Sequence, residues 1–148
     1  MAIDPNQTRE HGRAVASHEP ALAGAPMLLH EFFLRAAIRW PARPALEVPP
    51  GPRRSARTVA TYAEVAQRSL ALARLLRGHA APDRVIAILL PRNSADLCIA
   101  QLAVLRSGAA YACIDPVFPD QQVRDILRDS EASILLTDDA GEERHGRG

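Results

Sequence analysis

At 148 residues the chain has the length of about one domain, and a formal net charge of +1 gives no electrostatic case for nucleic acid or an anionic membrane as partner. Its 47% apolar and 24% charged residues are those of a globular protein, with no apolar run long enough to cross a bilayer. All 18 basic residues are arginine, so lysine chemistry is excluded.

Residues 1–26 are polar, rich in alanine and proline and without periodicity, and read as a disordered leader with no secretory signal. The folded unit is expected over residues 27–138. Leu29, Phe32, Phe33, Ala36 and Trp40 recur at helical spacing and predict a helix that buries its aromatic face, stopped by Pro41 and Pro44. Ala45 to Val48 reads as a strand, followed by a loop from Pro49 to Arg57. The loop's Arg53, Arg54 and Arg57 could steer an anion, but a solvated hairpin loop accounts for them and is the preferred reading.

Thr61 and Glu64 have the spacing of a capping box, in which each residue satisfies the other's backbone N–H at the start of a helix. Val65, Leu72, Leu75 and Leu76 predict its inner side, and Gly78 its end. The run from Arg84 to Leu90 is apolar without alternation, which suits a parallel strand covered on both faces. Asn93 and Ser94 are both suited to cap the next helix, whose residues from Leu97 to Leu105 are apolar apart from Gln101. Arg106 suits the carbonyl end of that helix, and Gly108 suits its left-handed stop.

Ala109 to Ile114 then reads as a buried strand ended by Asp115-Pro116. A surface helix follows with Val123, Ile126 and Leu127 on its inner side, and then a strand over Ser133–Thr137. The order β-α-β-α-β predicts right-handed crossovers and a parallel sheet, so the fold class is α/β. Residues 139–148 are charged and apolar-poor and are expected to be a disordered tail. Cys98 and Cys113 stand singly in apolar runs without metal-ligand spacing. They are expected to be reduced core residues, with Cys113 buried beneath the surface helix, and a cytoplasmic setting fits them.

The phrase LRSGAAYACIDPVFP, Leu105 to Pro119, resembles the second core motif of adenylate-forming enzymes, above all the amino-acid adenylation domains of nonribosomal peptide synthetases. The first core motif is matched upstream by Thr61-Tyr62-Ala63-Glu64-Val65, and the resemblance runs from about Leu28 to Asp138. The positions carried over are Thr61, Tyr62 and Glu64 in the first motif and Leu105, Gly108, Ala110, Tyr111, Asp115 and Pro116 in the second. Capping and packing account for these residue types, so none is assigned a catalytic, cofactor-binding or metal-binding role. Arg106-Ser107 stands where Lys-Ala is usual, and Ala112-Cys113 where Val-Pro is common.

The resemblance implies the leading part of an ATP-dependent amino-acid adenylating ligase, an incomplete parallel-sheet subdomain of its N-terminal domain. Relatives use ATP, magnesium and the phosphopantetheine of a carrier protein. Their phosphate loop and lysines have no counterpart here, so this chain alone is expected to bind no cofactor and to be inactive. Its partners would be the remainder of the adenylation domain or a carrier protein, without nucleic acid or membrane. An acyl-CoA ligase fragment shares these motifs more loosely. From other classes, a receiver-like binding module would show a similar element order but needs a lysine, and an interaction module would complete its sheet with another polypeptide.

Overall fold

A computed structural model of the chain describes residues 27–51 and 55–145. The expectations for the leader 1–26, for Arg53 and Arg54 and for the last three residues lie outside the described residues. Ten elements follow in order: α1 (Leu29–Arg39), β1 (Pro44–Val48), β2 (Thr58–Thr61), α2 (Tyr62–Leu76), β3 (Val85–Leu89), α3 (Ala95–Ser107), β4 (Ala110–Ile114), α4 (Asp120–Asp129), β5 (Ile134–Thr137) and α5 (Asp139–His145).

Strand β3 is central in a parallel sheet of order β4-β3-β5, as its unbroken apolar sequence requires. Its residues alternate between two cores. Ile86, Ile88 and Leu90 meet Ala100, Ala103 and Val104 of α3 together with Ala73 and Leu76 of α2. Ala87 and Leu89 point the other way, to Ile114 and to Val123 of α4. The two crossover helices therefore lie on opposite faces. A third cluster joins Val65 and Ile99 to Ala60 of the β1–β2 hairpin, with Phe33 of α1 packed against it.

Several expectations are corrected by this packing. The inner side of α1 runs through Phe33 and the buried Ala37, while Leu29, Phe32 and Trp40 are exposed, with Arg39 and Arg43 over the Trp40 ring. The burying face is rotated by about one position, because Phe33 and Ala37 stand one helical turn apart and leave Phe32 on the flank. On α2 the buried residues are Val65, Ser69, Ala73 and Leu76, and Leu75 is exposed, since an i, i+4, i+8 row from Val65 passes it by.

Strand β2, which pairs antiparallel with β1, takes in Thr58 to Ala60, to which the sequence reading gives no element, and the capping residue Thr61. Cys113 is exposed and is not covered by α4. In a strand of period two it must face away from Ile114, which is the residue that meets α4. Gln101 of α3 donates to its Sγ at 3.2 Å.

Residues 139–145, expected as part of a disordered tail, form α5. Asp138 holds its start, with Oδ1 accepting from Gly141 N at 3.0 Å and its carbonyl accepting from Glu142 N at 2.9 Å. Gly141 is buried against β5, where an added Cβ would lie 1.8 Å from Thr137 Oγ1. This glycine serves close packing rather than chain freedom.

Candidate functional site

The first motif builds a helix start. Thr61 Oγ1 accepts from Glu64 N at 3.3 Å, and the Glu64 carboxylate accepts from Thr61 N at 2.7 Å and Thr61 Oγ1 at 2.9 Å. These bonds, first from the backbone and then from the hydroxyl of Thr61, hold the Glu64 carboxyl below its ordinary range, with Arg68 adding its field. The Tyr62 ring packs tilted against that of Phe33, with centroids 5.3 Å apart, and Tyr62 donates its N–H to the Arg43 carbonyl at 3.0 Å. All three motif residues are occupied in joining α1, the hairpin and α2.

The second motif is divided between the two ends of the sheet. At the amino end, Leu105 accepts from Gly108 N at 3.2 Å, and Gly108 takes φ +89° to turn α3 into β4. Ala110 opens β4, and Tyr111 packs against the α2–α3 core. At the carboxyl end, Asp115 accepts from Val117 N at 3.1 Å and from Arg92 Nε at 2.8 Å. Arg144 of α5 donates to the Pro116 carbonyl at 2.9 Å and the Phe118 carbonyl at 3.3 Å, and pairs with Asp120 at 2.5 Å.

Because the chain passes over one face to β4 and over the other to β5, it leaves a crevice at the carboxyl ends, where open α/β sheets place their ligands. Here the crevice is a cleft of about 210 Å³ between Leu89, Pro91, Pro116, Asp138, Gly141, Arg144 and His145. Asp138, the carboxylate in its lining, accepts from Gly141 N, while the nearby Asp115 and Asp120 pair with Arg92 and Arg144. The His145 side chain is 6% exposed, and its Nε2 lies 3.8 Å from Asp120 Oδ1 without a hydrogen-bond partner. Among the described residues no group of three or more His, Cys, Asp or Glu side chains is placed to hold a metal, and no helix is long and apolar enough to cross a membrane. The arrangement positions α5 and the proline turn. Among the described residues no serine, threonine, cysteine or lysine lines the cleft.

Two side chains matter more than the sequence suggests. Arg106, in the last turn of α3, sends Nη1 to the Ala66 carbonyl at 2.7 Å and to Ser69 Oγ at 2.8 Å, pinning α3 to α2. Burial first, and then the neighbouring Arg74, lower the Arg106 pKa. Ser69 is fully buried, and its legible signal is a hydroxyl in phase with the apolar Val65, Ala73 and Leu76. Cys98 is half-buried and its thiol is pushed up, mainly by burial and secondarily by Cys113.

Comparisons with known proteins cover most of the described region. The family model described as "AMP-binding enzyme" matches residues 33–147. AMB antimetabolite synthetase AmbB of Pseudomonas aeruginosa is 34% identical over 127 residues, covering 85% of this chain and 10% of the relative. Tyrocidine synthase 3 of Brevibacillus parabrevis is 46% identical over 78 residues, covering 52% of this chain and 1% of the relative.

Among solved structures, the nonribosomal peptide synthetase FmoA3 in its alpha-methyl-L-serine-AMP bound form superposes with a TM-score of 0.69 at 25% identity, over 80% of this chain and 13% of that one. The N-terminal subdomain of Klebsiella oxytoca NpsA superposes with a TM-score of 0.61 at 27% identity, over 75% of this chain and 27% of that one. The chain thus spans a small part of each relative's length.

Proposed function

We propose, from the premise that this chain belongs to the AMP-binding enzyme family, that it is the leading segment of an ATP-dependent amino-acid adenylating ligase of the nonribosomal peptide synthetase kind. Its part is architectural. It supplies the α2–α3 pair and the first parallel strands, on which the remainder of an adenylation domain is laid. The observation that carries this reading is the joint placement of the two motifs: α2, begun by the first, is pinned by Arg106 of the second, within a fold that superposes on a nonribosomal peptide synthetase over 80% of its length.

ATP and magnesium do not fit the residues described here. The carboxylates at the sheet's carboxyl end are already engaged by arginines and backbone donors, and the sequence offers no lysine. Those groups, and the phosphopantetheine thiol of a carrier protein, are therefore assigned to residues outside this segment. The cytoplasm is its proposed compartment, supported by two cysteines that are not joined to each other.

The reading is tested by incubating the purified chain with ATP, magnesium, labelled pyrophosphate and each amino acid in turn. No exchange of label into ATP above the protein-free blank is expected. Magnesium-dependent exchange specific to one amino acid would overturn the proposal that the segment is architectural.

A further inference from the structure

At the amino end of the sheet the charges are separated, with Asp83, Asp129 and Glu131 lining one cleft and arginines lining another. Helices α2 and α3 both finish there, and a cleft of about 210 Å³ opens between their last turns, lined by His30 and Leu34 of α1, Leu70, Ala73 and Arg74 of α2, the capping residue Arg77 that follows it, and Arg106 and Ser107 of α3. Among the described residues no aspartate or glutamate lines it, and none of the three arginines is in an ion pair.

The carbonyl ends of two helices attract cations, each with roughly half a negative charge, so together they offset about one of the three guanidinium charges. About two positive charges remain, close enough that Arg74 disfavours the charged form of Arg106. Arg106 is held in place by Ala66 and Ser69 through Nη1, and among the described residues Nε and Nη2 have no partner, which leaves them as donors. The rest of the lining is aliphatic apart from His30 and Ser107.

We propose that this cleft binds a small phosphate monoester, its dianionic phosphate held by Arg74, Arg77 and Arg106 and its aliphatic part lying against Leu34 and Leu70. A dianion matches the residual charge, and planar guanidinium groups offer the paired donors that phosphate oxygens accept. The site lies at the opposite end of the sheet from the cleft containing His145 and is independent of the adenylating role.

Calorimetric titration of the full chain with inorganic phosphate and with n-butyl phosphate, at constant ionic strength, tests it. Both are expected to bind saturably at one site, butyl phosphate at least threefold more tightly because its chain reaches the leucines. Arg74→Gln/Arg77→Gln, a change confined to exposed side chains, should weaken both at least tenfold with an unchanged melting temperature. Arg124→Gln, on α4 across the sheet, should leave both as they were. Absence of saturable binding, or equal binding by the double variant, would overturn the site. Butyl phosphate binding no tighter than phosphate would overturn the assignment to an ester.

Discussion

The two faces of the β4-β3-β5 sheet are covered to different depths. On one, α3 lies between the sheet and α2, and no residue of α3 from Leu97 to Ser107 is exposed. On the other, α4 has a single buried residue, Val123, and presents Gln121, Gln122, Arg124 and Arg128 to water. The difference teaches how one unbroken apolar strand can serve unequal partners. Adjacent residues of β3 look into a core two helices deep and into a core one helix deep, and the deeper core is the one that holds both family motifs together.

The largest expected effect breaks that comparison directly. Ile88 and Leu89 are neighbours in β3, each at most 1% exposed, but they face opposite cores. Truncating a buried Ile or Leu to Ala costs about 2–5 kcal/mol depending on how far the surroundings collapse. Beneath two pinned helices collapse is restricted, so Ile88→Ala is expected to cost about 4 kcal/mol, whereas α4 can settle onto Leu89→Ala at about 2.5 kcal/mol. Urea denaturation measures both, and a greater loss for Leu89→Ala would show that the α4 side is the more rigid.

A smaller effect is expected at the pin itself. Hydrogen bonds to a charged group contribute about 1.5–3 kcal/mol each when well buried, and Arg106 is only partly so, which places Arg106→Met at about 1–2 kcal/mol. Combining it with Ser69→Ala in a double-mutant cycle should show coupling between them. Strictly additive losses would mean that the 2.8 Å contact carries no interaction energy.

How far these features are legible in the sequence depends on whether a local pattern has one physical solution. The capping box of Thr61 and Glu64, the left-handed stop at Gly108 and the unbroken run of β3 each admit only one, and each stands where the pattern places it. Helix α1 does not, because apolar residues at Leu29, Phe32, Phe33, Ala36, Ala37 and Trp40 fit two overlapping faces, and the choice is made by the hairpin and α2 it packs against. Cys113 departs from expectation because a run of small apolar residues hides the alternation of its strand. The last helix is hidden because Gly141 and its charged neighbours look like a tail until Thr137 and Asp138 are seen to receive them. At the site level the motif positions are readable, but the link from Arg106 to Ser69 spans 37 residues, and sequence spacing carries no sign of it.

Effects at the surface sharpen the comparison from below. Loss of an N-cap hydroxyl typically costs about 1 kcal/mol, and Thr61→Ala should cost that much. Because the Glu64 carboxyl is held below its ordinary value, its contribution is complete above the unfolded pKa and is lost as pH falls through the lower folded one. The stability difference between wild type and Thr61→Ala should therefore shrink on acidification through that interval. A difference that stays constant with pH would exclude the bond between the Thr61 hydroxyl and the carboxylate, since alanine at this position keeps the backbone N–H. Asp96→Asn, which breaks the exposed 2.6 Å pair with Arg68 between α2 and α3, should cost only about 0.5 kcal/mol and less in high salt.

The central claim is that this segment supports an adenylating enzyme without selecting or activating its substrate. It is tested most directly by replacing the matching leading segment of an adenylation domain of tyrocidine synthase 3 with residues 27–138 of this chain and measuring amino-acid-dependent pyrophosphate exchange on the folded chimera. The account predicts exchange with the recipient's own amino acid and an unchanged order of preference. A folded chimera that exchanges with a different amino acid would contradict it, because the segment would then carry part of the specificity.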